Sequence, residues 1–96
     1  MSKYVLSGAA DGDISGIFLS SIGLWGLERT ETYVMDLHRV LETLGEFPHL
    51  GRDASNLRLG YARFAHQSHA IFYRRSDIGI LVVRILHRRQ QARNYL

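Results

Sequence analysis

Ninety-six residues leave room for one domain, with 46% apolar and 22% charged side chains. Those values suit a packed globular core and exclude a disordered or collagen-like chain. The absence of cysteine excludes a disulfide framework, a zinc knuckle and a thiol nucleophile. No apolar run approaches the 18 residues of a membrane span, and the N-terminus (Met1-Ser2-Lys3-Tyr4) lacks a signal-peptide core. The expected location is therefore cytoplasmic, with no membrane contact.

Charge is unevenly placed. Residues 1–48 carry −4, and residues 49–96 carry +7 from nine arginines and two aspartates. Eleven of the twelve basic residues are arginine, whose planar fork suits bidentate contact with carboxylate or phosphate. The basic half is either an acid-binding surface or a plainly solvated one.

In chain order, residues 3–7 are aromatic and β-branched and predict a strand. Ser7 is placed to cap the helix that follows. Ile14, Ile17, Phe18, Ser21, Ile22 and Trp25 recur at helical spacing and predict its buried face. Glycines at 8, 12, 16 and 23 weaken that helix by about 1 kcal/mol each relative to alanine. Gly26 breaks it. Residues 28–44 carry a second stripe, Thr30, Tyr33, Leu37, Leu41 and Leu44, and Pro48 ends it. The short link predicts an antiparallel helical hairpin.

Residues 49–56 read as a loop. The period then changes to two. Strands are predicted at 61–65, 69–74 and 78–86, with turns at 66–68 and 75–77. Residues 88–96 form a short polar tail or helix. The fold class is thus α+β: an N-terminal strand and a helical hairpin packed on a three- to four-stranded antiparallel sheet, in one domain spanning 1–96. In the last strand Ile80, Val82 and Leu86 alternate with Leu81, Val83 and Ile85, so both faces are apolar. One face is either open to a partner or covered by the tail.

Most motifs with chemistry in them fail. The stretch from Asp11 to Gly16 opens like a calcium loop, but its twelfth place is Ile22 rather than glutamate. No phosphate loop and no nucleophile elbow occurs. His66 and His69 have metal-like spacing but flank a turn without a nearby carboxylate, and His38 reads as a surface residue. No metal or cofactor is expected. The run Arg84-Ile85-Leu86-His87-Arg88-Arg89 stands apart, because a histidine and arginines emerge where an apolar strand ends. Such a group can seat an acidic partner, can be solvated charge, or can supply the base and cations of RNA cleavage.

Trp25-Gly26, Gly51-Arg52, Arg58-Leu59-Gly60-Tyr61, Ser68-His69-Ala70-Ile71-Phe72-Tyr73 and Arg84-Ile85-Leu86-His87-Arg88-Arg89 occur in that order. Together they resemble the ParE branch of the RelE/ParE toxin superfamily, across nearly the whole chain. The resemblance implies the toxin of a type II toxin–antitoxin system. It implies a protein that inhibits DNA gyrase by direct binding, is neutralised by a ParD-like antitoxin and is not an enzyme. Direct DNA binding by this chain is not expected. The resemblance also implies a fold that agrees with the elements above.

RelE-type relatives share that fold and cut ribosome-bound mRNA. On that alternative His87, Arg84 and Arg88 would be catalytic. A further alternative is an inactive module that only pairs with its antitoxin. Candidates for target contact are Arg84, His87, Arg88, Arg89 and Arg93. Candidates for antitoxin contact are Ile14, Phe18, Trp25, Arg63, Phe72 and Arg74. Two features depart from the family pattern: the four glycines of the first helix, and Phe18 where a tyrosine is common.

Overall fold

The computed structural model describes residues 3–96; Met1 and Ser2 of the N-terminal stretch lie outside the described residues. The chain runs β1 (Tyr4–Leu6), α1 (Gly8–Trp25), α2 (Leu27–Glu46), a 3-10 turn (Pro48–Leu50), β2 (Arg52–Asp53), β3 (Ala62–His66), β4 (His69–Ser76), β5 (Gly79–His87) and a second 3-10 turn (Ala92–Asn94).

The sheet has five strands in the order β1-β5-β4-β3-β2. Two features differ from the three to four antiparallel strands expected. β1 pairs in parallel with β5, Tyr4 opposite Ile80 and Leu6 opposite Val82, so the sheet is mixed. Two residues of the expected 49–56 loop, Arg52 and Asp53, form the edge strand β2. Neither strand has enough residues for a period to show.

The two helices bury themselves differently. α2 buries Thr30, Tyr33, Leu37, Leu41 and Leu44, the predicted stripe, on the helix-facing side of the sheet. Each fully buried leucine contributes about 1.5–3 kcal/mol of transfer free energy. α1 buries Ala10, Ile14, Ile17 and Ser21 but leaves Leu19 and Leu24 at 70% and 77% exposure. Its exposed side thus mixes these leucines with glycines, Asp11, Ser15 and Ser20, and is only weakly polar. Ser7 caps it by accepting the Ala10 N–H (3.0 Å), as predicted. Gly26 ends it at φ 84°, a left-handed value that suits glycine, and donates its N–H to the Ile22 carbonyl (3.1 Å).

Tyr73 ties the sheet to the segment after α2. Its buried hydroxyl donates to the Pro48 carbonyl (2.6 Å) and accepts the Gly51 N–H (2.8 Å). A Cβ at position 51 would collide with that hydroxyl.

Simple alternation misplaces the end of β5. Tyr73 stands opposite Val82 but Phe72 stands opposite Arg84, so the register slips by one residue. This is a β-bulge that leaves Val83 as the extra residue. Ile80, Val82 and Ile85 therefore pack in the helix-facing core, while Leu86 joins Ala70 and Phe72 in a second cluster. Leu57, Ala92 and Leu96 pack against that second cluster. The tail and the loop before β3 thus cover this part of the back face.

Candidate functional site

β1 stops at Leu6, which leaves the edge of β5 opposite β4 without a strand neighbour from Val83 onward. Side chains from the start of α1 satisfy that open edge. Ser7 Oγ donates to the Val83 carbonyl (2.7 Å), and Asp13 accepts the Ile85 N–H (2.9 Å). Asp13 also accepts two bonds from Arg84, from Nε at 2.8 Å and from the terminal nitrogen at 2.7 Å. The two side chains are only 21% and 13% exposed. The Asp13 hydrogen bonds raise the Arg84 pKa above its ordinary value. The guanidinium also lies over the Tyr95 ring, 5.3 Å from its centroid. Arg84 thus joins α1, β5 and the tail.

The bulge brings a second group together. His66 stands opposite His69, and His69 opposite His87. The result is a histidine ladder across β3, β4 and β5. Directly opposed side chains share a face of the sheet. The His69 and His87 rings meet edge to face, 5.6 Å between centroids. Tyr33 of α2 lies over the ladder, its hydroxyl hydrogen-bonded to His69 Nδ1 (2.6 Å). His87 Nδ1 accepts the Arg89 backbone N–H (3.2 Å), so the neutral ring carries its proton on Nε2. Burial, with His87 and His66 beside it, holds His69 below its ordinary pKa; Asp13 acts in the opposite direction. A cavity of about 300 Å³ opens beside the pair, walled by Gly12, Gly16 and Ser20 of α1. Among the described residues no three histidine, aspartate or glutamate side chains are arranged to hold a metal ion.

The predicted target-contact residues separate into two sets. Arg84 is held inside, and His87 is half-buried against His69. Arg88, Arg89 and Arg93 are exposed, and no carboxylate lies within ion-pair reach of them among the described residues.

The predicted antitoxin-contact residues scatter more widely. Ile14 and Phe72 are 9% and 2% exposed and pack in the two cores. Phe18 is half-buried on α1. Trp25 is exposed at the hairpin tip, edge-on to Tyr33 (5.8 Å) and under Arg29 (5.7 Å). Arg63 lies over Phe72 (6.0 Å), and Arg74 is exposed.

Sequence reasoning missed Asp13, His69 and Tyr33 as members of the strand-end group. A count back from the β4–β5 turn places Leu86 opposite His69. Only the bulge brings His87 there.

These features define a small α+β domain whose strand end is internally braced and whose arginines lie largely at the surface. Comparison with known proteins places it. Residues 4–92 match the family model for the ParE toxin of the type II toxin–antitoxin system parDE. The chain is 36% identical to Toxin ParE1 of Caulobacter vibrioides over 96 residues, covering 100% of this chain and 99% of that protein. It is 34% identical to Toxin ParE1 of Mycobacterium tuberculosis over 92 residues, covering 95% and 94%. A solved structure described as the chromosomal ParDE TA system from P. aeruginosa shares the fold, with a TM-score of 0.76 at 18% identity, covering 91% of this chain and 96% of that one. The chain belongs to the ParE toxin family of type II toxin–antitoxin systems.

Proposed function

We propose that this single domain is a toxin that inhibits DNA gyrase by direct binding in the cytoplasm, that a ParD-like antitoxin masks it, and that it acts without catalysis. The observation that carries the reading is the division of the arginines at the end of β5. Arg84 is already neutralised by Asp13, whereas Arg88, Arg89 and Arg93 are exposed and, among the described residues, without an ion-pair partner just beyond a rigid strand. Exposed guanidinium forks anchored this way suit an acidic protein surface. Leu19 and Leu24, large apolar side chains left exposed on α1, support a second partner. Among the described residues no helix is long and apolar enough to cross a membrane.

The nuclease alternative draws on the His69–His87 pair beside its cavity. It would also need a free cation at the scissile phosphate. Of its expected residues Arg84 is committed to Asp13, which leaves Arg88.

Two assays run side by side decide the matter. We expect the purified chain to stop supercoiling by gyrase and to leave ribosome-bound mRNA uncut by primer extension. Cleavage of mRNA without gyrase inhibition would establish the nuclease reading. Inactivity in both, with antitoxin binding intact, would establish an inactive module.

A further inference from the structure

On the sheet face away from the helices, Arg52 of β2 stands directly opposite Arg63 of β3, and Arg63 directly opposite Phe72 of β4. The Arg63 guanidinium lies over the Phe72 ring, 6.0 Å from its centroid. Like charges directly opposed across strands destabilise a sheet. One charged residue on so short an edge strand would suffice to deter unwanted pairing, so a second arginine facing it goes beyond that need. Only two acids follow residue 48, Asp53 and Asp77. Asp53 alternates to the opposite face, where it lines a cavity with Ala62 and Tyr73, and Asp77 lies in the β4–β5 turn. Among the described residues neither is within ion-pair reach of these arginines.

The basic strip continues past Phe72. Leu57, from the loop before β3, and Ala92, from the tail, pack on the cluster that holds Phe72. A cavity of about 620 Å³ opens there, lined by Asn56, Leu57, Gln91, Ala92 and Arg93. Asn56, Gln91 and Arg93 are exposed. The side-chain polar groups of this cavity are thus two carboxamides and a guanidinium. A carboxamide donates and accepts, whereas a carboxylate only accepts and would leave the carboxamide oxygens unanswered. A nucleobase edge carries donors and acceptors together. A cavity admits that edge only when the base is unpaired and turned out of its stack. We infer that this strip binds single-stranded nucleic acid: Arg52, Arg63 and Arg93 hold phosphates of one strand, and Asn56 and Gln91 hold the edge of an unpaired base that lies on Leu57. These contacts address phosphate and base rather than sugar, so DNA and RNA strands should bind alike. Contact with a strand departs from the absence of direct DNA binding that the resemblance implies. It does not depend on the gyrase reading.

The probe is a short fluorescent single strand of mixed sequence, once as DNA and once as RNA, titrated with the free chain. A blunt duplex of the same sequence and a polyglutamate peptide are the other arms. We expect both strands to bind saturably and alike, and more tightly than the duplex or the polyglutamate, with amide shifts at residues 52, 56, 63, 91 and 93. Three phosphate contacts should lower the affinity about 20-fold between about 50 and 200 mM salt. Arg52→Gln and Arg93→Gln should each weaken binding about two- to fivefold and make the salt dependence shallower. Arg52→Gln should not lower the Tm, because it relieves repulsion, whereas Arg63→Gln also uncovers Phe72 and is the less clean variant. Asn56→Ala with Gln91→Ala should weaken binding by a similar factor at unchanged salt dependence, which plain charge attraction does not predict. Arg39→Gln, which removes an exposed arginine paired with Asp36, should change neither quantity. Affinity unmoved by Arg52→Gln and Arg93→Gln, or by the double carboxamide variant, would overturn the inference. So would polyglutamate or duplex binding as tight as that of the strands, or a strong preference for one sugar. Gyrase and antitoxin are absent from these assays, so their failure would leave the preceding proposal standing.

Discussion

Arg84 and the Arg88-Arg89 pair lie within six residues of each other, yet they do opposite things. Arg84 is clamped by Asp13, stacked on Tyr95 and mostly hidden. Arg88 and Arg89 are in water. Four arginines that look alike in the sequence, Arg84, Arg88, Arg89 and Arg93, thus divide into one that holds the fold and three that are exposed. The difference comes from the edge of β5. Where β1 ends, backbone groups need partners, and α1 brings an acid to them. Past His87 the chain leaves the sheet, and no such need exists.

The sharpest way to break this contrast is to remove the clamp. Asp13→Ala leaves Arg84 without its carboxylate and the Ile85 N–H without its acceptor. A partly buried pair broken from one side should cost about 2–4 kcal/mol, read by urea unfolding. A loss below about 0.5 kcal/mol, the usual size for a surface site, would show that Arg84 is as free as its neighbours.

Acid should strain the same end of the sheet. His69 binds its proton less readily folded than unfolded, so the unfolded chain binds more protons as pH falls below about 6.5. Its contribution to stability is fully present above that pH and is lost as pH falls through the lowered folded value. The groups facing it are His66 and His87 on the neighbouring strands, Tyr33 on α2 and Asp13 on α1. Denaturation melts at pH 7.5 and 5.5 should show the parent losing stability on acidification, and His69→Gln losing less. Equal losses would show that the ladder does not titrate with folding.

The smallest effect is expected on α1. A Cβ at Gly12 or Gly16 would meet no atom within 4 Å. Gly16→Ala should therefore raise stability by up to about 1 kcal/mol. Destabilisation of the isolated chain would mean that this helix face is not open.

What the sequence revealed follows the same physical line. α2 was legible residue by residue, because its buried positions keep one period and its other faces are mostly polar, with Leu27 and Met35 the exposed apolar exceptions. α1 was legible as a helix but not in its packing, since Phe18, Ile22 and Trp25 obey the same period as Ile14 and Ile17 yet are not fully buried. β1 was predicted as a strand, but its parallel partner lies more than seventy residues away, beyond any local pattern. The bulge at Val83 left no mark that alternation could read. It is what sends Ile85 to one face and Leu86 to the other, and what sets His87 against His69. The candidate site was therefore visible as a list of residue types and invisible as an arrangement. Asp13, rejected as a calcium ligand, turned out to be its principal brace.

The division between braced and free arginines is tested most directly by gyrase inhibition with two variants that first prove folded and antitoxin-binding. Replacing Arg88 and Arg89 together by alanine should change stability by no more than about 0.5 kcal/mol. It should abolish inhibition of supercoiling, because the forks that meet the target are gone. His87→Gln keeps a polar side chain at the ladder and should retain most of the inhibition. Full inhibition by the double alanine variant, or complete loss in His87→Gln, would contradict the account.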